Sequence, residues 1–228
     1  MRQIGDVIVI GERSITMEKS KTNYLYEGVK RTFDIIVALI AVLFLLPVAI
    51  IIKISSLLTK DTASIFYKQK RIGKNGKLFE LYKFRSMVPD ADKKLEELLK
   101  TNKEAREEYE INKKLKNDPR ITKVGKFIRT FSIDELPQVI NILKGDMTFI
   151  GNRPYLPREK EDMGFFYNSI VSTKPGLTGY WQVSGRSDVT FAKRVELESY
   201  YSRHQSLKMD ISIFFKTFKV VLFGKGSR

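Results

Sequence analysis

The chain has 228 residues, room for one folded domain plus a membrane element, and carries 41 Lys and Arg against 26 Asp and Glu for a formal net charge of +15. That charge calls for an anionic partner: lipid headgroups, nucleic acid or a phosphorylated substrate. With no cysteine and one histidine, His204, disulfides and thiolate metal sites are excluded and Ser-His-Asp catalysis has a single candidate base, which leaves carboxylates to serve as nucleophile, base and metal ligands.

Residues 1–29 read as an extension in which Val7 to Ile10 could add an edge strand, and no removable secretory peptide is expected there. Residues 30–59 hold the membrane element. Eighteen residues from Ile35 to Ile52 lack any polar side chain, a helix of about 27 Å against a hydrocarbon core of about 30 Å. Pro47 interrupts the run and predicts a bend near Leu43 to Pro47, because it loses one backbone hydrogen bond and clashes with the carbonyl four residues back. Lys30 and Arg31 precede the run and Lys53 and Lys60 follow it, so both ends are drawn to the cytoplasmic side. A helix that bends within one leaflet meets that demand; a plain kinked span is the alternative.

Residues 60–228 read as the folded domain. A β-hairpin is expected over residues 65–87, with runs Ile65 to Tyr67 and Leu78 to Phe84 joined through Asn75-Gly76, the favoured two-residue turn. Pro89 to Asn117 is dense in Glu and Lys, with Leu95, Leu98, Leu99 and Ala105 at helical spacing, and predicts one or two solvent-facing helices. A further helix should begin close to Asp134 and run through Leu143 to Gly145. Loops rich in Gly and Pro are expected over 151–157 and 174–185, then a helix over Thr190 to Ser202. The closing stretch Met209 to Phe223 interleaves Phe and Ile with Lys216 and Lys219, which suits either a helix in the headgroup region or a buried one.

Ser132-Ile133-Asp134-Glu135-Leu136-Pro137 sets two adjacent carboxylates where a helix should start. Ser-x-x-Glu is also a capping box, and a cap at Ser132 or at Asp134 fits Pro137 differently. The motifs gain meaning from their order: Tyr82-Lys83-Phe84-Arg85-Ser86-Met87, Arg129, Asp134-Glu135, Lys144-Gly145-Asp146-Met147, Arg153-Pro154, Lys174-Pro175-Gly176 and Gln182 to Arg186. From about Glu27 to the C-terminus the chain resembles the bacterial sugar transferases, the monotopic polyprenyl-phosphate phosphoglycosyltransferases that begin lipid-linked glycan assembly in exopolysaccharide and capsule pathways.

The resemblance implies an α/β (α+β), mainly helical catalytic domain with a β-hairpin, on the cytoplasmic face of the bacterial inner membrane, held by a re-entrant helix bent near Pro47 and by interfacial amphipathic helices. It implies that Asp134 attacks the β-phosphate of a UDP-sugar, expels UMP and holds a phosphosugar until polyprenyl (undecaprenyl) phosphate takes it, with Glu135 associated with Mg²⁺ and Arg129 in the catalytic centre. Lys83, Arg85, Arg153, Pro154, Gln182 and Arg186 fall on its substrate-binding positions. The charged insertion before Asn117 leans toward UDP-glucose or UDP-galactose. Three positions depart from the family pattern: Asn152 stands where many relatives have proline, which should loosen the Arg153 loop; Leu46 replaces a serine before the bending proline; and Tyr180-Trp181 stands where some have Trp-Ala.

A basic membrane-bound interaction module without catalysis explains the charge equally well, though not the carboxylate pair. No nucleic-acid signature is present, so membrane lipid, donor and acceptor are the expected partners, and a homodimer is compatible with the sequence.

Overall fold

A single helix organises the molecule. In the computed structural model, which describes residues 2–4, 7–10, 13–16, 24–185 and 189–222, α1 (Tyr24–Leu58) runs unbroken for 35 residues, so Pro47 does not divide it into two elements. One face of α1 is buried over most of its length: Tyr26, Asp34, Ala38, Ala49, Ile52 and Ser56. Leu39, Ile40, Leu43, Phe44, Leu46, Ile50 and Ile51 face outward. The apolar run therefore has two jobs, one stripe packing on protein and the other left bare.

Ahead of α1, strands β1 (Arg2–Ile4), β2 (Val7–Ile10) and β3 (Arg13–Thr16) form an antiparallel sheet in that order. Val7 to Ile10 is thus the middle strand, not an edge, because a neighbour pairs with it on each side. The hairpin consists of β4 (Phe66–Ile72) and β5 (Leu78–Phe84), paired from Phe66 with Phe84 to Ile72 with Leu78. Asn75 (φ 58°) and Gly76 (φ 76°) both take left-handed backbone at the turn, which is why this dipeptide is favoured there.

The charged stretch becomes a helix pair, α2 (Ala91–Thr101) and α3 (Lys103–Asn112), of which only Leu95 is fully buried. Then α4 (Lys123–Thr130), which the sequence reading did not anticipate, is capped by the Thr122 side chain accepting the Gly125 N–H. A 3₁₀ turn, Ile133–Glu135, precedes α5 (Gln138–Lys144). Neither cap considered for this region is used. Ser132 is left-handed (φ 56°) with no side-chain cap bond, and Pro137 occupies the N-cap position of α5, so the helix starts past the carboxylate pair.

The expected loop over 174–185 contains β7 (Gly176–Thr178) and α7 (Tyr180–Val183), and β7 pairs parallel with β6 (Thr148–Ile150), which ends just before the loop expected over 151–157. Between β6 and β7 lies α6 (Tyr167–Val171), and the chain closes with α8 (Phe191–His204) and α9 (Leu207–Leu222). One face of α9 is buried, at Asp210 and Ile213, whereas Ile211, Phe215 and Phe218 are exposed. The structure is mainly helical with three small sheets.

Among the described residues the core falls into four patches, two of them along α1. Ala38 packs with Leu81, Val139, Ile142 and Met147; Ala49 and Ile52 pack with Ile65, Phe84 and Ile128. Side chains of this size stabilise by about 1.5–3 kcal/mol each when fully buried, so these patches fix α1 against both hairpin and α5. Polar bonds set the register. Asp34 accepts the Phe149 N–H at 2.7 Å, and Arg31 donates to the Ile142 and Leu143 carbonyls at 2.6 and 2.9 Å, where α5 ends on Gly145 (φ 87°). Lys30 and Tyr26 both meet the Asp210 carboxylate, joining α1 to α9.

Candidate active site

The site forms where α5 abuts β5. Asn141, wholly buried, accepts the Tyr82 N–H at 3.0 Å and donates to the Glu80 carbonyl at 2.6 Å, so the start of α5 is locked to the strand that carries Lys83. The 3₁₀ turn then delivers Asp134 and Glu135 beside that lysine. Lys83 Nζ lies 2.8 Å from Glu135 Oε1 and 3.7 Å from Asp134 Oδ2. One cation therefore bridges two adjacent carboxylates.

Asp134 is only 8% exposed. Burial raises its pKa above the ordinary carboxylate value, and the Glu135 charge pushes the same way, while Lys83 and Arg129 work against both. This carboxylate is held in a fixed pose with neighbouring cations that favour its ionised form.

The other expected residues divide into groups. Arg129 sits exposed on the last turn of α4, close enough to favour the charged form of Asp134. Arg85 is committed elsewhere: its guanidinium takes both Asp61 oxygens, at 2.9 and 3.0 Å, and the Met87 carbonyl at 3.2 Å, clamping the segment after α1 to the end of β5. That bond holds Asp61 below the usual carboxylate range. Gln182 donates to the Leu177 carbonyl at 3.2 Å, and the Pro154 carbonyl accepts from Arg71 at 3.0 Å. Arg186 lies outside the described residues.

Arg153 is not in ion-pair contact with Asp134 or Glu135. It stands in a second basic cluster with Arg71 and Arg194, whose pKa values fall first through burial and then through the Arg153 charge. The loop carrying it is not loosened by Asn152. That side chain, 2% exposed, donates to the Ile170 carbonyl at 3.1 Å, Thr173 Oγ1 at 3.2 Å and Ser202 Oγ at 2.6 Å, so an amide does by hydrogen bonding what a proline ring does by stiffness.

Arg71, Arg194, Glu198 and Asp61 were missed from the sequence. A signal existed for two of them, since Arg194 and Glu198 share the buried face of α8 with Phe191, Val195 and Tyr201, and charges on an apolar stripe mark a functional or paired site.

Residues 25–224 match the family model described as bacterial sugar transferase. The chain belongs to the bacterial sugar transferase family. It is 46% identical to undecaprenyl-phosphate galactose phosphotransferase of Salmonella typhimurium over 87% of this chain and 41% of that protein. It is 41% identical to the exopolysaccharide production protein ExoY of Sinorhizobium fredii over 87% of each. It is 36% identical to UDP-N-acetylgalactosamine-undecaprenyl-phosphate N-acetylgalactosaminephosphotransferase of Aeromonas hydrophila over 90% of this chain and 46% of that protein. The chain thus spans less than half the length of the first and third, and most of the second.

Proposed function

We propose that this chain transfers a hexose 1-phosphate from a UDP-sugar to undecaprenyl phosphate through a covalent intermediate on Asp134. The observation that carries the reading is the buried Asp134 carboxylate beside Glu135, both bridged by Lys83. An Asp134 oxygen attacks the β-phosphorus, the bond from that phosphorus to the bridging oxygen breaks, and UMP leaves with the electron pair. An oxygen of undecaprenyl phosphate then attacks the same phosphorus and releases the Asp134 carboxylate, yielding the diphosphate-linked sugar. Two displacements replace one difficult transfer. Lys83 and Arg129 lower the charge repulsion between carboxylate and diphosphate.

The donor set fits Mg²⁺, which binds through one or two carboxylates plus substrate phosphates and waters, and the spot is one where a cation, Lys83, is already favoured. Among the described residues no group of three or more His, Cys, Asp or Glu forms a cage, so Glu135 would hold the ion with the substrate's help. Bound there, Mg²⁺ would neutralise phosphoryl charge. The names of the relatives, galactose in one and N-acetylgalactosamine in another, support a hexose donor.

A membrane-surface setting is supported by the one-sided packing of α1. A helix crossing the bilayer upright leaves the domain behind, whereas α1 touches it from Tyr26 to Ser56, about 45 Å of helix. The bare face of α1, Phe127 on α4 and Phe131 just after it, and Phe215 and Phe218 on α9 supply exposed apolar surface for one leaflet of the inner membrane, on its cytoplasmic side.

The test is UMP release from a panel of UDP-sugars with undecaprenyl phosphate and Mg²⁺, alongside Asp134→Asn. The native chain should release UMP, the variant should fold and lose turnover by on the order of 10⁴-fold, and mass spectrometry of native enzyme with donor alone should find a phosphosugar on the Asp134 peptide. Full activity of Asp134→Asn would refute the mechanism.

A further inference from the structure

Among the described residues seven buried side-chain polar atoms have no hydrogen-bond partner, and all but Thr148 Oγ1 belong to one cluster: Arg71 Nε, Arg153 Nε, Tyr155 Oη, Trp181 Nε1, Arg194 Nε and Glu198 Oε2. Such atoms are costly in a folded protein and gather where a site is built to act. Glu198 lies at the centre. It is 1% exposed, and its Oε1 accepts the backbone N–H of Arg153 at 2.9 Å. The Arg194 guanidinium, one turn back on α8, lies 4.6 Å from the Trp181 ring centroid.

We propose that Glu198 is a positioning residue for the donor site, fixing the Arg153 turn so that the Arg153 guanidinium is presented to the nucleoside diphosphate. The proposal rests on Arg153 being a donor contact. Its logic is that Arg153 follows β6 in a loop whose shape is otherwise set by Asn152, so two side chains control the turn: Asn152 anchors the residue before the arginine and Glu198 anchors the arginine's own backbone. Glu198 also offsets the charge of Arg153 and Arg194, and Arg153, from the β6 loop, crowds both Arg71 of β4 and Arg194 of α8.

The charged and titratable groups that face Glu198 are Arg153 and Tyr155 from the β6 loop and Arg194 on α8 itself, while Glu159, from the turn after that loop, acts on Arg194 and on Arg71 of β4. Burial pushes the Glu198 carboxyl up from 4.5 to about 7, opposed by the Arg153 N–H and by the Arg153 and Arg194 guanidiniums. Its ionised form accepts the N–H more strongly, so donor affinity should rise with pH through neutrality.

The experiment is steady-state kinetics of the full chain with undecaprenyl phosphate and a UDP-sugar that supports turnover, for Arg153→Ala, Glu198→Ala, Glu198→Gln and the Arg153→Ala/Glu198→Ala double variant. Glu198→Ala should raise the donor KM about tenfold with kcat within about twofold, the scale of one lost charge-assisted hydrogen bond. Glu198→Gln keeps an acceptor oxygen and should restore most of that KM. The double variant should be no worse than Arg153→Ala alone, since the carboxylate acts through the arginine. Effects that multiply, or a fall in kcat at unchanged KM, would overturn the positioning role while leaving Arg153 as a donor contact. An unchanged KM in Arg153→Ala would instead remove the donor reading of Arg153, and the inference with it. Should Glu198→Ala fail to fold, Glu198→Gln decides alone: the native donor KM should be lower at about pH 8 than at about pH 6, and the variant should lose that dependence. A variant with the native profile would overturn the proposal.

Discussion

Lys83 has an unusual load for a strand residue, because one ammonium must compensate two carboxylates of which the nearer to it, Glu135, is not the proposed nucleophile. Removing it tests the electrostatics directly. In Lys83→Met the larger of the two cationic pulls on Asp134 disappears and only that of Arg129 remains, while burial and the Glu135 charge still raise its pKa, so the fraction ionised at a given pH falls. Turnover should drop, and the acidic limb of the rate–pH profile should move to higher pH; a profile that falls in height without moving would assign Lys83 to substrate binding only. Glu198 makes the opposite kind of prediction, on stability. Its native pKa of about 7 exceeds the model-peptide value of 4.5, so between these values the folded chain holds a proton that the unfolded chain has released. That contribution to stability falls as pH rises through this window and levels off above it. Glu198→Gln should flatten the fall in melting temperature between about pH 5 and pH 7, and an unaltered slope would deny the shifted carboxyl.

At the scale of elements, the pieces readable from sequence were those whose cause is local. Asn75-Gly76 dictates the hairpin turn, Thr190 caps α8 by accepting the Lys193 N–H, and the Leu95 spacing gives α2. The three-residue strands β6 and β7 were not legible, because their parallel pairing joins Thr148 to Gly176 and Ile150 to Thr178 across the intervening helix. At the centre of the site the sequence order of Lys83, Arg129, Asp134 and Glu135 was informative, yet the release of the carboxylates from capping depends on Ser132 going left-handed, a choice made by packing. The helix α4 escaped notice although Val124 and Ile128 are four apart, since its eight residues are half charged or small. Its seat is narrow. A Cβ placed on Gly125 would lie 1.9 Å from the Ser86 carbonyl oxygen, a backbone atom that cannot swing aside. Gly125→Ala should therefore displace α4, and Arg129 with it. We expect a loss of about 1–3 kcal/mol by denaturant unfolding together with reduced turnover. A variant that unfolds like the native chain would mean the α4 seat can yield.

For the whole molecule the governing fact is that the greasiest helix is also the scaffold. Ala38 and Ala49 lie on the stripe buried against protein, and alanine there lets α1 approach α5 and the hairpin closely, whereas the bulkier Leu43, Phe44 and Leu46 occupy the bare side. On the proposed function, a single helix serving as both core and lipid contact would couple catalysis to the membrane surface. The patches that hold Lys83 and the start of α5 are built partly on it, so displacing α1 would disturb Asp134 without any direct contact. The same geometry decides topology. If α1 lies along the domain with only one side in lipid, its two ends stay in the same aqueous compartment, as the Lys30, Arg31, Lys53 and Lys60 flanks also require. Cysteines introduced one at a time at Tyr24, which is 84% exposed, and at Ser64 beyond the far end of α1 give a clean readout, because the chain has no cysteine of its own. In inverted and right-side-out vesicles a membrane-impermeant maleimide should label both positions from the cytoplasmic side and neither from the other. Labelling of the two from opposite sides would make α1 a span, and its buried stripe would then have to seek a partner other than the domain it covers.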